Sequence, residues 1–249
     1  MISIIIPTYN EEKAIGDTIK RLMASNGYEI IISDDKSTDN TVSIAQSVVS
    51  KYSDNPDAMA RINILANEHK HISIAQNRNT GAKVAHGDFL VFMDSDCVVE
   101  NIEASFAKAI SIFEKNPKIV SLTGAIGVLP EYETLGDKIV YSVFNLVHRI
   151  KNNILHTGES SGKFQMMRRS AFDTINGFRE DLVTREDGDM FYRLSKIGRT
   201  LYVPDIIIRH TGRRAHQLGW PKLLSIWMIE TFWVMLFDKS RTKTWKDIR

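Results

Sequence analysis

The chain opens on an almost unbroken apolar run, Ile2-Ser3-Ile4-Ile5-Ile6, stopped by Pro7. Runs of this length without alternation predict a strand buried on both faces. Ile15, Ile19, Leu22 and Met23 then recur at helical spacing, with Asn10 as the expected N-cap, Glu11 and Glu12 in the first turn and Asn26-Gly27 as the stop. The two rhythms repeat. A strand over 29–33 ends in Asp34-Asp35, and a helix follows with Val42, Ala45, Val48 and Val49 on one face. Residues 53–60, with Pro56, read as a loop, 62–65 as a short strand, and 72–86 as a helix closed by Gly87. Phe89-Leu90-Val91-Phe92-Met93 is the most apolar strand and ends abruptly in Asp94-Ser95-Asp96. An amphipathic helix over 101–116, through Ile102, Phe106, Ile110 and Phe113, leads to a strand over 119–126. Strands and helices alternating at this length predict βαβ units, a largely parallel sheet flanked by helices and an α/β fold.

Beyond about residue 127 the alternation loosens. Ile139, Val140, Val143, Phe144 and Val147 predict a helix over 135–150. A polar loop, Gly158-Glu159-Ser160-Ser161-Gly162, precedes a strand over 163–167, and Gly177-Phe178-Arg179-Glu180 reads as a turn. Thr184-Arg185-Glu186-Asp187-Gly188-Asp189 opens a helix carrying Met190, Phe191, Leu194 and Ile197 and ended by Gly198. Strands over 201–203 and 206–208 follow, the second stopping at His210. No linker divides 1–126 from 127–218, so the two halves are read as one domain. Residues 219–249 form a separate C-terminal stretch. There Leu223 to Phe237 is apolar except for Ser225, Glu230 and Thr231, and Lys239, Arg241, Lys243 and Lys246 follow.

Composition narrows the class. A hydrophobic fraction of 43% with 25% charged residues excludes a disordered chain. The formal charge of +2 lacks the excess expected of a nucleic-acid binder. Cys97, the single cysteine, leaves no internal disulfide to form, which makes a cytoplasmic setting the default expectation. The first residues have neither a basic n-region nor a cleavage site, so no signal peptide is expected. No uncharged apolar run reaches the roughly 18–20 residues of a spanning helix.

The chemistry concentrates where strands end. Ligands of open α/β sheets bind outside the carboxyl ends of the strands. Paired hard oxygen ligands there, as in Asp94-Ser95-Asp96, suit a divalent cation that can hold a diphosphate. The same residues also suit a plain polar turn. Together with Ile4-Ile5-Ile6-Pro7-Thr8-Tyr9-Asn10-Glu11, Asp34-Asp35 and Ser37-Thr38-Asp39-Asn40-Thr41, they resemble family 2 glycosyltransferases of the GT-A fold. Arg78-Asn79-Thr80-Gly81-Ala82, Gly177-Phe178-Arg179-Glu180, Glu186-Asp187, and Arg193-Leu194 with Gly198 fit the same family, in its order.

That resemblance implies a nucleotide-binding half over 1–126, an acceptor half over 127–218 and a sugar-nucleotide donor, UDP- or GDP-linked. It implies that Pro7, Tyr9, Glu11 and Asp35 line the base and ribose pocket. Arg78 would offset diphosphate charge. Asp94, Ser95 and Asp96 would hold the donor, with Asp96 and Asp94 binding Mn²⁺ or Mg²⁺ and His210 as a third ligand. Asp187, beside Glu186, fits the family's catalytic base, and attack opposite the leaving group implies inversion. Arg213 and Arg214 are expected to clamp the diphosphate or an acceptor phosphate. Asp34 is read instead as a local turn residue, and Glu186, Asp187 and Asp189 would also suit a helix N-terminus.

Two other functions share parts of this pattern: a sugar-1-phosphate nucleotidyltransferase and a non-catalytic nucleotide-sugar-binding protein. The first resembles a Gly-rich loop after strand one, where this chain has Pro7-Thr8-Tyr9-Asn10-Glu11. The C-terminal stretch has too few residues to span a bilayer as a helix and carries Glu230 near its middle. Trp220, Trp227, Trp233 and Trp245 with the basic tail suit peripheral contact with a membrane that holds a lipid-linked acceptor. Packing on the domain, or on a second subunit as a homodimer, would use the same apolar residues.

Overall fold

The computed structural model describes residues 1–67 and 73–242. Strands β1 (Ile2–Thr8), β2 (Tyr28–Asp34), β3 (Ile62–Ala66) and β4 (Phe89–Phe92) pair in parallel, in the order β3-β2-β1-β4. The sheet continues through β7 (Gln165–Arg168), β6 (Ile119–Val128), β8 (Arg199–His210) and the two-residue β5 (Val98–Val99). β7 is antiparallel to both β4 and β6, β5 is antiparallel to β8, and β6 and β8 are parallel. One mixed sheet of eight strands therefore crosses both halves of the chain among the described residues. β7 is the seam.

Helices cover both faces. α1 (Ile15–Met23), α2 (Thr41–Ser50) and α5 (Ile102–Lys115) bury Ile15, Ile19, Leu22, Val48, Phe106 and Phe113 in one cluster with Ile4, Ile6, Ile30 and Val91. α4 (Ile74–Val84) and α8 (Glu186–Ile197) enclose a second cluster on the other face, around Ile5, Phe92, Phe178 and Phe191. Alternate residues of β1 thus enter different clusters, as the two-residue period of a doubly covered strand requires.

Several local expectations are corrected. Asn10 is not an N-cap: it adopts φ 54° in a turn, and α1 begins only at Ile15, after Ala14. Its side chain instead accepts a hydrogen bond from Thr38 N at 2.8 Å, tying this turn to the one after β2. The expected loop over 53–60 contains α3 (Pro56–Ala60), because Asn55 caps it through Ala58 N and Pro56 takes the first turn. α4 is opened by Ser73 and Gln76 in a reciprocal capping box. The expected start of that helix at Ile72 lies outside the described residues. The two strands expected over 201–203 and 206–208 are one, β8, with a register shift opposite Gly124 and Ala125. α7 (Arg169–Thr174) and α9 (Arg213–Leu218) were not foreshadowed by apolar spacing.

The largest departure concerns the apolar faces of the last long helices. α6 (Leu135–Arg149) runs into a π-helical turn (Ile150–Ile154) and leaves Ile139, Val143, Leu146 and Val147 exposed. α10 (Trp220–Phe237) crosses it through Phe144–Trp227 and Tyr141–Trp220 ring contacts at 5.5 and 5.4 Å. α10 buries only Leu223 and Glu230, and exposes Met228, Ile229, Phe232, Met235 and Leu236. Glu230 turns inward to Thr184 Oγ1 at 3.2 Å and Arg241 Nε at 3.3 Å. Lys243, Trp245 and Lys246 of the expected basic tail lie outside the described residues.

Candidate active site

The parallel register aligns the carboxyl ends of three neighbouring strands. Thr8 pairs with Asp34 and Ile5 with Phe92, so the segments starting at Tyr9, Asp35 and Met93 leave the sheet along one edge. β7 enters from that same edge, since Gln165 pairs with Phe92, and His210 ends β8 beside Val128.

Asp94 and Asp96 lie there with ligand atoms grouped within 4.8 Å, together with Cys97. Burial alone would raise Asp96, but Lys163, Arg213 and a hydrogen bond from Thr211 outweigh it and hold the carboxyl at about 2. Thr211 Oγ1 donates to Asp96 Oδ2 at 2.6 Å. Burial pushes the Asp94 carboxyl up, against the opposing pull of Arg78 and Lys163. Burial, with Asp96 and Asp94 nearby, drives the Cys97 thiol well above its ordinary range. A protonated, soft thiol is a poor ligand for Mg²⁺ or Mn²⁺, whereas two carboxylates suit either ion. Asp94 and Asp96 are therefore the pair that fits a hard cation. Ser95 is buried, and its carbonyl accepts from Thr18 Oγ1 at 2.5 Å, which fixes the turn between them.

His210 falls outside that cluster. Its Nδ1 accepts from Gly212 N at 2.9 Å, which leaves the ring proton on Nε2. The ring stacks edge-on to Tyr141 at 5.1 Å, and its Nε2 is buried with no hydrogen-bond partner among the described residues.

Arg78 is corrected more sharply. Its guanidinium is fully buried beneath the Phe178 ring, 5.2 Å from the centroid. Nη1 binds Glu186 at 2.8 Å and Nη2 binds Asp94 at 3.2 Å. With no face left for a diphosphate, Arg78 is an internal strut between Asp94 and the start of α8. Burial and the adjacent Asp187 push the Glu186 carboxyl up to about 7, against the pull of Arg78. Glu186 is thus a partner of Arg78, not an exposed acid or base. Asp187, half-buried, accepts from Gly162 N and from its neighbour Gly188 N, both at 2.7 Å. Each oxygen keeps a second lone pair for an incoming proton.

Glu11 and Arg213, expected at different parts of the donor, are joined to each other at 2.7 and 2.6 Å. Arg213 Nε also stands 3.8 Å from Asp96. A cleft of about 500 Å³ beside this pair is lined by Asn10, Glu11, Asp39, Thr211, Arg213 and Gln217. A cavity of about 600 Å³ behind the site reaches Met93 and Cys97 but none of Asp94, Asp96 and Asp187. Pro7 is buried within β1, Tyr9 is half-buried after it, and Asp35 is buried with its amide bonded to Thr8 O at 2.9 Å. Asp34 accepts from Ser37 N at 2.9 Å and Thr8 Oγ1 at 2.9 Å, the turn role expected for it. Arg214 follows Arg213 in the first turn of α9 and is half-buried.

The sequence matches the Glycosyl transferase family 2 profile over residues 3–175, more than half the chain. The chain belongs to that family. It is 28% identical over 232 residues to a Methanococcus voltae dolichyl N-acetyl-alpha-D-glucosaminyl phosphate 3-beta-D-2,3-diacetamido-2,3-dideoxy-beta-D-glucuronosyltransferase, covering 85% of this chain and 67% of that protein. An Escherichia coli UDP-Glc:alpha-D-GlcNAc-diphosphoundecaprenol beta-1,3-glucosyltransferase is 37% identical over 98 residues, 39% of this chain and 35% of that one. A mannosyltransferase from Pyrobaculum calidifontis, solved with GDP-Man and Mn²⁺, superposes with a TM-score of 0.72 at 17% identity over 94% of this chain and 64% of that one. The fold of this family 2 glycosyltransferase is accordingly GT-A. The chain spans about two thirds of the longest-matching of these relatives.

Sequence reasoning missed two residues of the edge. Thr211 follows His210 and shows its role only through contact with Asp96. Lys163 opens an expected strand, and nothing in the residues around it announces the carboxylates across the sheet.

Proposed function

We propose that this glycosyltransferase moves a sugar from a UDP- or GDP-linked donor to an acceptor hydroxyl, with inversion and with a divalent cation. The observation that carries the reading is the Arg78 strut. It ties Asp94, at the leaving-group end, to Glu186, the neighbour of Asp187 at the acceptor end, so both ends share one frame. Asp96 and Asp94 would hold the divalent cation, which would offset the diphosphate charge that grows as the glycosidic bond breaks. Asp187 takes the proton of the acceptor hydroxyl, and that oxygen bonds the anomeric carbon as the nucleoside diphosphate departs from the opposite face. Gly162 N–H and Gly188 N–H hold the carboxylate in place for this. Pro7, Tyr9 and Asp35 are assigned to the base and ribose, and Arg213 with Arg214 to phosphate on either substrate.

A lipid-linked acceptor at a membrane surface is the acceptor reading we favour. The archaeal and Escherichia coli relatives are named for lipid-linked substrates, dolichyl phosphate and diphosphoundecaprenol sugars. The exposed apolar residues of α6 and α10 give such a surface something to meet. No helix among the described residues is long and apolar enough to cross a membrane.

The test is donor turnover with UDP- and GDP-sugars and Mn²⁺. Asp96→Ala and EDTA should each abolish it. Asp187→Asn should keep nucleotide affinity while turnover falls by about 10²–10⁴-fold. Full turnover in EDTA, or an unchanged rate in Asp187→Asn, would overturn the assignment.

A further inference from the structure

We propose that Lys163 is a second cation of the leaving-group site, contacting the donor diphosphate beside the metal. The inference rests on the reading of Asp94 and Asp96 as the diphosphate end. The antiparallel register pairs Leu90 with Met167 and Phe92 with Gln165. From the last pair of that ladder, Phe92 with Gln165, the two chains run on to Asp94 and to Lys163 on the same edge of the sheet. The flanking chain is fixed: Gly162 N holds Asp187, Gly162 O accepts from Arg78 at 3.4 Å, and Phe164 is fully buried with its carbonyl bonded to Thr123 Oγ1 at 2.8 Å. Lys163 therefore projects from a rigid stretch into the space around Asp94, Asp96, Cys97 and Tyr141.

Two neighbouring cations already hold carboxylates. Arg78 is divided between Asp94 and Glu186, and Arg213 is engaged by Glu11. Lys163 has no hydrogen bond and no ion pair within 4 Å among the described residues, so its three N–H donors are uncommitted. Burial opposes its charge, and the Asp94 and Asp96 carboxylates favour it. A charged amine without a partner, on a flexible stem beside two carboxylates, suits an anion that arrives with the substrate. The departing diphosphate gains negative charge as the bond breaks, and a fixed cation there favours that state.

Calorimetry on the whole chain tests this, with UDP, GDP, uridine, guanosine and Mn²⁺ as probes. Lys163→Met should weaken UDP or GDP binding in Mn²⁺ by about ten- to hundredfold, and leave nucleoside binding unchanged. It should also tighten Mn²⁺ binding to the nucleotide-free protein, because a repelling charge has gone. Lys163→Arg should restore diphosphate affinity to near wild type. Lys163→Gln carries the same expectations and serves if the Met variant does not fold. Diphosphate affinity within twofold of wild type overturns the proposal, as does a parallel loss of diphosphate, nucleoside and metal binding, which marks a structural role. A wild-type protein that binds neither UDP nor GDP removes the reading of the site and the inference with it. Wild-type binding that persists unchanged in Lys163→Met removes the inference alone.

Discussion

At the scale of single residues, the site is held by charges that sequence spacing could not pair. Arg78, Asp94 and Glu186 come from α4, the end of β4 and the start of α8, and form one linked set around the buried Arg78. Removing the cation leaves the buried Glu186 and the partly exposed Asp94 without their shared partner. Arg78→Met should therefore lower stability by about 3–5 kcal/mol, read as a shift in the urea midpoint at constant slope. Arg78→Lys should recover little, since one ammonium cannot serve two planar carboxylates in this geometry. His148 offers a test by pH. Burial holds it near 4 instead of 6.5, despite the attraction of Glu159, and its Nδ1 has no partner among the described residues. In the unfolded chain it takes a proton as pH falls through 6.5, while the folded chain resists until about pH 4. Its contribution is thus intact above pH 6.5 and is lost as pH falls toward 4, by about 3 kcal/mol at most. The stability of wild type minus that of His148→Gln should fall over that window and stay flat above it. A constant difference would place the imidazole in solvent.

At the scale of elements, α4 lies unusually close to the sheet, and Gly81 is the reason. A Cβ at Gly81 would stand 2.5 Å from Ile5 Cγ2 and 3.4 Å from Ser33 Cβ. The methyl belongs to a stiff β-branched side chain of the central strand, so it cannot swing away. Ala in a helix interior is favoured over Gly by about 1 kcal/mol, and overpacking costs about 1–3 kcal/mol. The second effect should win. Gly81→Ala should be less stable than wild type, and in an Ile5→Ala background the same change should turn neutral or stabilising; equal costs in both backgrounds would refute the contact. The β-strands and the helices packed on them were legible in the sequence, because each buries a face whose period is written in its residues. α6 and α10 were legible as helices but not in their orientation: both are apolar, and α10 turns its one acid, Glu230, toward the domain.

At the scale of the molecule, that orientation leaves an apolar surface made jointly by two helices. Burying a large apolar side chain is worth about 1.5–3 kcal/mol, so several together are enough to hold the protein at a bilayer. Wild type should float with anionic vesicles. Phe232→Ser with Met235→Ser on α10, or Ile139→Ser with Val143→Ser on α6, should each reduce the bound fraction by about tenfold or more, with an unchanged circular dichroism spectrum. The α6 pair is the discriminating one, because a surface confined to α10 would not respond to it. A dimer dissolved by the same substitutions, without flotation, would make the face a subunit interface.

The sequence by itself determined the family, the α/β class, the strands that end in carboxylates and the helices that cover them. These follow from local periods and from short motifs whose residues are neighbours in the chain. Only the tertiary structure decided what each charged group is paired with. It joined Glu11 to Arg213, enclosed Arg78 between Asp94 and Glu186, brought Thr211 to Asp96, and placed Lys163 near Asp94 and Asp96. Those pairs span up to 202 residues of chain. Electrostatic partnership depends on distance in space, and the strand order β1-β4-β7 with the return of β8 creates that proximity, which no linear spacing encodes.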